Sequence, residues 1–135
     1  MRRAILLVAL VLLAASCNRD RESQRARAVI GRALPGALAY PGSSIVTFSA
    51  GEDAGRIELS SPAAPQDVAV WYRKTLPLNG WDVQSDAVDR NGVVTIYAEK
   101  GKQPLWITLR PNTGGPGSTY TMIGAIVAGD SIKTK

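Results

Sequence analysis

Between Trp81 and Ala128 the sequence runs through four strand-like stretches whose connections are too short to hold a crossover. They are Trp81–Val88, Val93–Lys100, Leu105–Arg110 and Tyr120–Ala128. Parallel neighbours need a dozen or more connecting residues, usually as a helix, so strands this close turn back on one another. Asp89-Arg90-Asn91-Gly92 is a hairpin signal, because Asn-Gly tolerates positive φ. Gly101-Lys102-Gln103 and the loop Asn112–Ser118 make the next two turns. The segment is therefore an antiparallel meander.

The residues before it extend the same sheet. Ser44–Ala50 and Arg56–Ser60 read as strands joined by the hairpin loop Gly51–Gly55. In the second strand Ile57 and Leu59 alternate with Arg56, Glu58 and Ser60, which gives one apolar and one polar face. Ser61-Pro62-Ala63-Ala64 breaks the strand, and Pro65 suits a first helical position. Gln66 to Leu76 carries Val68, Trp71, Tyr72 and Leu76 at helical spacing. Asp67 early and Arg73 and Lys74 late complement the helix dipole. Pro77 is expected to end or kink this helix, and Asn79-Gly80 to close it. The order β-β-α-β-β-β-β predicts an α+β fold. It has two layers, a mainly antiparallel β-sheet with one helix packed on one face. About 95 residues suffice for one modest core.

The amino terminus has a different character. Met1-Arg2-Arg3 precedes twelve apolar residues, Ala4 to Ala15, and then Ser16 and Cys17. This is the basic, apolar and small-residue layout of an export signal. Leu13-Ala14-Ala15-Ser16-Cys17 resembles the lipobox of bacterial lipoproteins. The family usually has leucine three positions before the cysteine, where this chain has Ala14 with Leu13 one step earlier. The resemblance implies a signal peptide over residues 1–16 and a lipid on Cys17. It also implies attachment to a cell-envelope membrane through that lipid. Asn18 after the cysteine resembles outer-membrane sorting, with the domain facing the periplasm. Residues 17–39 then read as the lipidated cysteine followed by a basic flexible tether. Its Ser23–Leu34 part can become helical with Ser23 as a cap, although few apolar residues support it. Residues 40–135 form the α+β domain, closing in a polar tail from Asp130 to Lys135.

Charge excludes one function class. The net charge of +5 divides into +2 from Arg2 and Arg3 and +3 from residues 18–36. It is zero from residue 37 onward, where nine basic residues meet nine acids. A neutral domain lacks the cationic surface that neutralises phosphates, so no nucleic-acid partner is expected. The chain has no histidine and one cysteine. That rules out Ser-His and Cys-His catalytic pairs, an internal disulfide and Cys/His zinc sites. No catalytic residue, metal ligand or cofactor is assigned. Asn112–Ser118 lacks the Gly-Lys-Ser/Thr ending of a phosphate-binding loop and reads as a strand connection. Asp82 and Asp86 read as a solvated strand face, and Glu58 with Asp82 is the acid pair that a carboxylate enzyme would need.

Ala39-Tyr40-Pro41-Gly42-Ser43, Val70-Trp71-Tyr72-Arg73 and Asn79-Gly80-Trp81 form a second pattern. It is similar to bacterial secreted and lipoprotein domains with a "YPGS … WYR..L...GW" layout, which implies an α+β domain and no particular activity. Trp71, Tyr72 and Trp81 are read as core. Leu105, Ile107 and Leu109 should face the helix, so Trp106 and Arg110 point away with Tyr97 of the preceding strand. Tyr97, Trp106 and Arg110 are the expected interaction surface, unless Trp106 packs beneath the tether or the glycine-rich loop. The leading expectation is a non-catalytic interaction module that meets an envelope protein or cell-wall material. The alternative is a small-ligand domain with an apolar pocket between helix and sheet.

Overall fold

A computed structural model describes the backbone of residues 2–127 and the side chains of residues 18–127. The elements are α1 (Arg2–Ala33), β1 (Ser44–Ala50), β2 (Ala54–Ser61) and α2 (Pro65–Leu78). Strands β3 (Asp82–Val88), β4 (Val94–Lys100), β5 (Gln103–Pro111) and β6 (Ser118–Ala125) follow. All six strands join one antiparallel sheet in the order β1-β2-β6-β5-β4-β3. The expected α+β meander is present. Its last strand pairs back onto β2, and α2 carries the chain from β2 to the far edge at β3. The expected end of the last strand at Ala128 and the tail Asp130–Lys135 lie outside the described residues.

Alternation writes the core as three rows across the sheet. One row is Val94, Leu109, Tyr120 and Leu59; the next is Ile96, Ile107, Met122 and Ile57. Both rows are buried except for the partly covered Ile57. Full burial of each large aliphatic side chain contributes roughly 1.5–3 kcal/mol. The third row shrinks from Ala98 and Leu105 to Gly124 and Gly55.

Helix α2 lays Val68, Ala69, Tyr72 and Leu76 on the β3–β5 side. Pro77 does not end it: the helix runs two residues past Leu76, to Leu78, and stops at Asn79-Gly80 as expected. A proline in the last turn removes one amide near the helix end, where the ladder is about to stop anyway. The stop is a Schellman motif, with the Trp81 N–H donating to Leu76 O at 3.0 Å and the Gly80 N–H to Pro77 O at 3.2 Å. Gly80 takes the left-handed φ of 82° that the motif requires. The extension leaves no basic residue in the last turn. Arg73 instead pairs with Asp86 through two hydrogen bonds, one of them 3.0 Å from Nη2 to Oδ1. Asp86 reaches it because a register shift between Val83 and Ser85 turns Asp86 to the helix side, opposite Ile96. Asp82 stays on the other face, opposite Glu99, so the two aspartates do not share one solvated face as expected.

The larger departure is at the amino end. The expected flexible tether is helical to Ala33, and Ser23 lies inside α1 rather than at its start. Ser23, Ala26, Val29, Ile30, Ala33 and Leu34 turn from solvent at helical spacing. Packing on β1, β2 and β6 fixes a helix that would be marginal alone. Two helices, not one, therefore cover the same face, and the core takes in Ala33 and Leu34 ahead of residue 40. Gly55 and Gly124 make the seat. A Cβ on Gly124 would land on the Ala33 carbonyl oxygen and Leu34 Cδ2, and one on Gly55 would lie 3.0 Å from Ile30 Cγ1.

Candidate functional site

The chain between α1 and β1 is pinned by aromatic hydroxyls. Tyr72 donates to Leu38 O at 2.9 Å. Tyr120 accepts from the Tyr40 N–H at 3.0 Å and donates to Ser43 Oγ at 2.8 Å. Tyr40 meets Trp71 edge-on at 5.6 Å, and Lys100 Nζ donates to Asn79 O at 3.0 Å. Burial, followed by the nearness of Tyr120, pushes the Tyr72 phenol far above its ordinary range, so it stays a donor. The motif residues Tyr40, Trp71, Tyr72 and Trp81 thus hold the loop and core together. Trp71 is partly buried, while Tyr72 and Trp81 are wholly so.

Behind this loop the packing is incomplete. A cavity of about 370 Å³ lies between α1, residues 37–43 and the β1–β2–β6 side of the sheet. Ile30, Leu34, Ile45, Ile57, Leu59 and Met122 wall it, and Ser43 supplies a hydroxyl. Ile45 leaves this wall open to solvent, being more than half exposed. At the cavity α1 rests on glycines at its end, and β1 shifts register between Ile45 and Thr47.

The opposite face of the sheet carries no helix. Tyr97 and Trp106 are cross-strand partners there and stack at 5.1 Å with 28° between their planes. Trp106 is 41% exposed, so it packs under neither α1 nor the glycine-rich loop. The Tyr97 hydroxyl donates to Glu99 Oε1 at 2.6 Å, and this bond raises the phenol, with desolvation and the Glu99 charge adding to it. Arg110 is on the same face, two alternate positions beyond Trp106 and opposite Thr119. The strand order also brings β2 alongside. Arg56, Glu58, Thr108, Arg110, Thr119, Thr121 and Ile123 line a hollow of about 350 Å³. Arg56 holds Glu58 at 3.4 Å. Parity in the sequence turns Arg56 and Glu58 outward, but nothing local says that β6 sits between β2 and β5.

Other expected groups are placed as follows. Glu58 and Asp82 are on β2 and β3, four strand spacings apart, or roughly 19 Å, so they form no acid pair. The Asn112–Ser118 loop is a hairpin closed by Asn112, whose N–H donates to Gly117 O at 3.1 Å and whose Nδ2 donates to Pro116 O at 3.0 Å. Cys17 falls in α1, with its side chain outside the described residues. Among the described residues, no helix is long and apolar enough to cross a membrane.

No curated protein and no solved structure matches the chain. A family model does. It spans residues 43–117, from just before β1 to the turn ahead of β6 and more than half of the sequence, and on that match the chain belongs to the START domain-like family.

Proposed function

We propose that this protein is a lipid-anchored binding domain of the bacterial cell envelope that holds a small apolar molecule between α1 and the sheet. The cavity walled by Ile30, Leu34, Ile57, Leu59 and Met122 carries the reading. Its volume falls at the lower end of the roughly 300–1,000 Å³ usual for ligand pockets, and its apolar lining with one hydroxyl fits the usual composition. Family membership supports it, because START-like domains are generally binding modules. Ser43 already accepts the Tyr120 hydrogen, so its own proton is available to an acceptor at the polar end of a ligand.

The test is titration with a dansyl-labelled long-chain fatty acid. Saturable emission is expected from the wild-type protein and not from Ile57→Trp, which fills the cavity. Equal binding by a folded Ile57→Trp variant would place the probe elsewhere and overturn the reading. The anchor has a separate check. Cys17→Ser should stop incorporation of labelled acyl chains and release the domain from membranes. Retention without acylation would mean that the amino-terminal segment itself is the anchor.

The second reading is an interaction module on the uncovered face. The stacked Tyr97–Trp106 pair favours it, since exposed Trp, Tyr and Arg are the residues enriched at binding hot spots.

A further inference from the structure

The uncovered face has a chemistry of its own. Rows across the strands are about 4.8 Å apart from one strand to the next. One row reads Arg56, Ile123, Trp106, Tyr97; the next reads Glu58, Thr121, Thr108, Thr95. Thr119 and Arg110 open a third. The face therefore presents a stacked aromatic pair at one side with Ile123 beside it, threonine hydroxyls across the next row and guanidinium groups at Arg56 and Arg110. Among the described residues Arg110 has no ion-pair partner, while Arg56 shares Glu58.

We propose that this face binds an acidic glycan, an extended oligosaccharide with a carboxylate on at least one ring. A sugar ring has an apolar C–H face that stacks on an indole, and hydroxyls that pair with threonine hydroxyls and with the Glu58 carboxylate. Trp106 supplies the stacking platform, with Tyr97 stacked against its ring. Arg110 receives the carboxylate, a pairing the guanidinium fork suits in shape and charge. From Trp106 to Arg110 the strand advances on the order of 13 Å, which favours an oligosaccharide over a single ring. Other occupants fit less well. A protein interface would bring a broad apolar centre, and here the apolar row stops at Ile123 and Trp106, with Glu58, threonines and Arg110 in the rows beyond. A nucleic acid would meet Glu58 and Glu99 on a charge-balanced domain.

The site is on the other side of the sheet from the α1 cavity, so the two readings fail independently. The experiment uses the full chain and two probes. One is a GlcNAc–MurNAc oligosaccharide with free lactyl carboxylates; the other is chitotetraose, which has similar rings and no carboxylate. Saturable amide shifts on β2, β4, β5 and β6 are expected with the acidic glycan. Trp106→Ala should weaken it about tenfold or more. Arg110→Gln should lower it to the level of chitotetraose and leave chitotetraose binding unchanged. Both residues are exposed, and Tyr97→Ala gives a second test of the platform; near-UV circular dichroism checks that each variant is folded. The cavity variant Ile57→Trp should bind the glycan normally. No saturable binding of either probe would overturn the proposal. So would equal binding of polyglutamate, which would mean charge alone, or concentration-dependent dimerisation abolished by Trp106→Ala, which would mean that the face meets a second copy of the chain.

Discussion

The two halves of the covered sheet face are built from the same alternating pattern and packed in opposite ways. Under α2, side chain meets side chain: Val68, Tyr72 and Leu76 close over Ile96, Ile107 and Leu109 with every one of them buried. Under α1, backbone meets backbone, because Gly55 and Gly124 let the last helical turn sit directly on β2 and β6. Close seating at one point holds the helix, and the unfilled space beside it is the cavity. A helix fixed by two glycines and a stripe that is only partly buried before Ala33 buries less apolar area than one fixed by large, fully buried side chains. The α2 half should therefore supply the stability and the α1 half the room for a ligand.

The largest expected effect tests the solid half. Ile107→Ala removes the centre of the middle row and should cost about 2–5 kcal/mol in denaturant unfolding. Leu34→Ala, at the cavity wall, should cost less, because that region already lacks contacts on one side; equal costs would erase the contrast between the halves. Gly124→Ala should cost about 1–3 kcal/mol by driving a methyl into the Ala33 carbonyl. Amide exchange should accelerate at residues 30–37 and stay unchanged on β4. A neutral result would show that α1 is not seated there. Tyr72→Phe should cost about 1–2 kcal/mol, because it strands the Leu38 carbonyl, and it should weaken fatty-acid binding by loosening the cavity wall. The smallest effect is Asp86→Asn, at most about 1 kcal/mol for a partly exposed pair. Its sign with pH is fixed. The hydrogen bonds from Arg73, and then its charge, hold the Asp86 carboxyl below the ordinary range. The stabilisation is present above the ordinary carboxylate range and is lost as pH falls through the lowered folded value. Asp86→Asn should remove that part of the acid dependence and nothing at neutral pH beyond it.

Legibility followed the range of the forces involved. β1 is found at Ser44–Ala50, as its strand-like composition predicts, and the other strands differ only at their ends. Asn79-Gly80 closes α2 as expected, since a Schellman motif is a local device. Pro77 misled because its cost depends on how near the helix end already is. Residues 18–33 misled more, because a stripe of Ala26, Val29, Ile30 and Ala33 looks too weak for a helix until a sheet is laid against it. Of the candidate sites, the Tyr97–Trp106 pairing was legible from parity and a short hairpin. Arg56, Glu58 and Thr121 were not, because they join that face only through the pairing of β6 with β2.

The amino-acid sequence by itself determined the strands, the turns, one helix, the neutral charge of the domain and the lipobox-like start. Each depends on neighbours a few residues apart, where φ/ψ preferences and alternation act directly. Tertiary structure alone decided the strand order, the docking of α1 on two glycines, the cavity that docking leaves and the hollow between Arg56 and Arg110. Those depend on which surfaces meet across the chain, and a pair such as Gly55 and Gly124 carries no sign of its partner until the backbone brings them side by side.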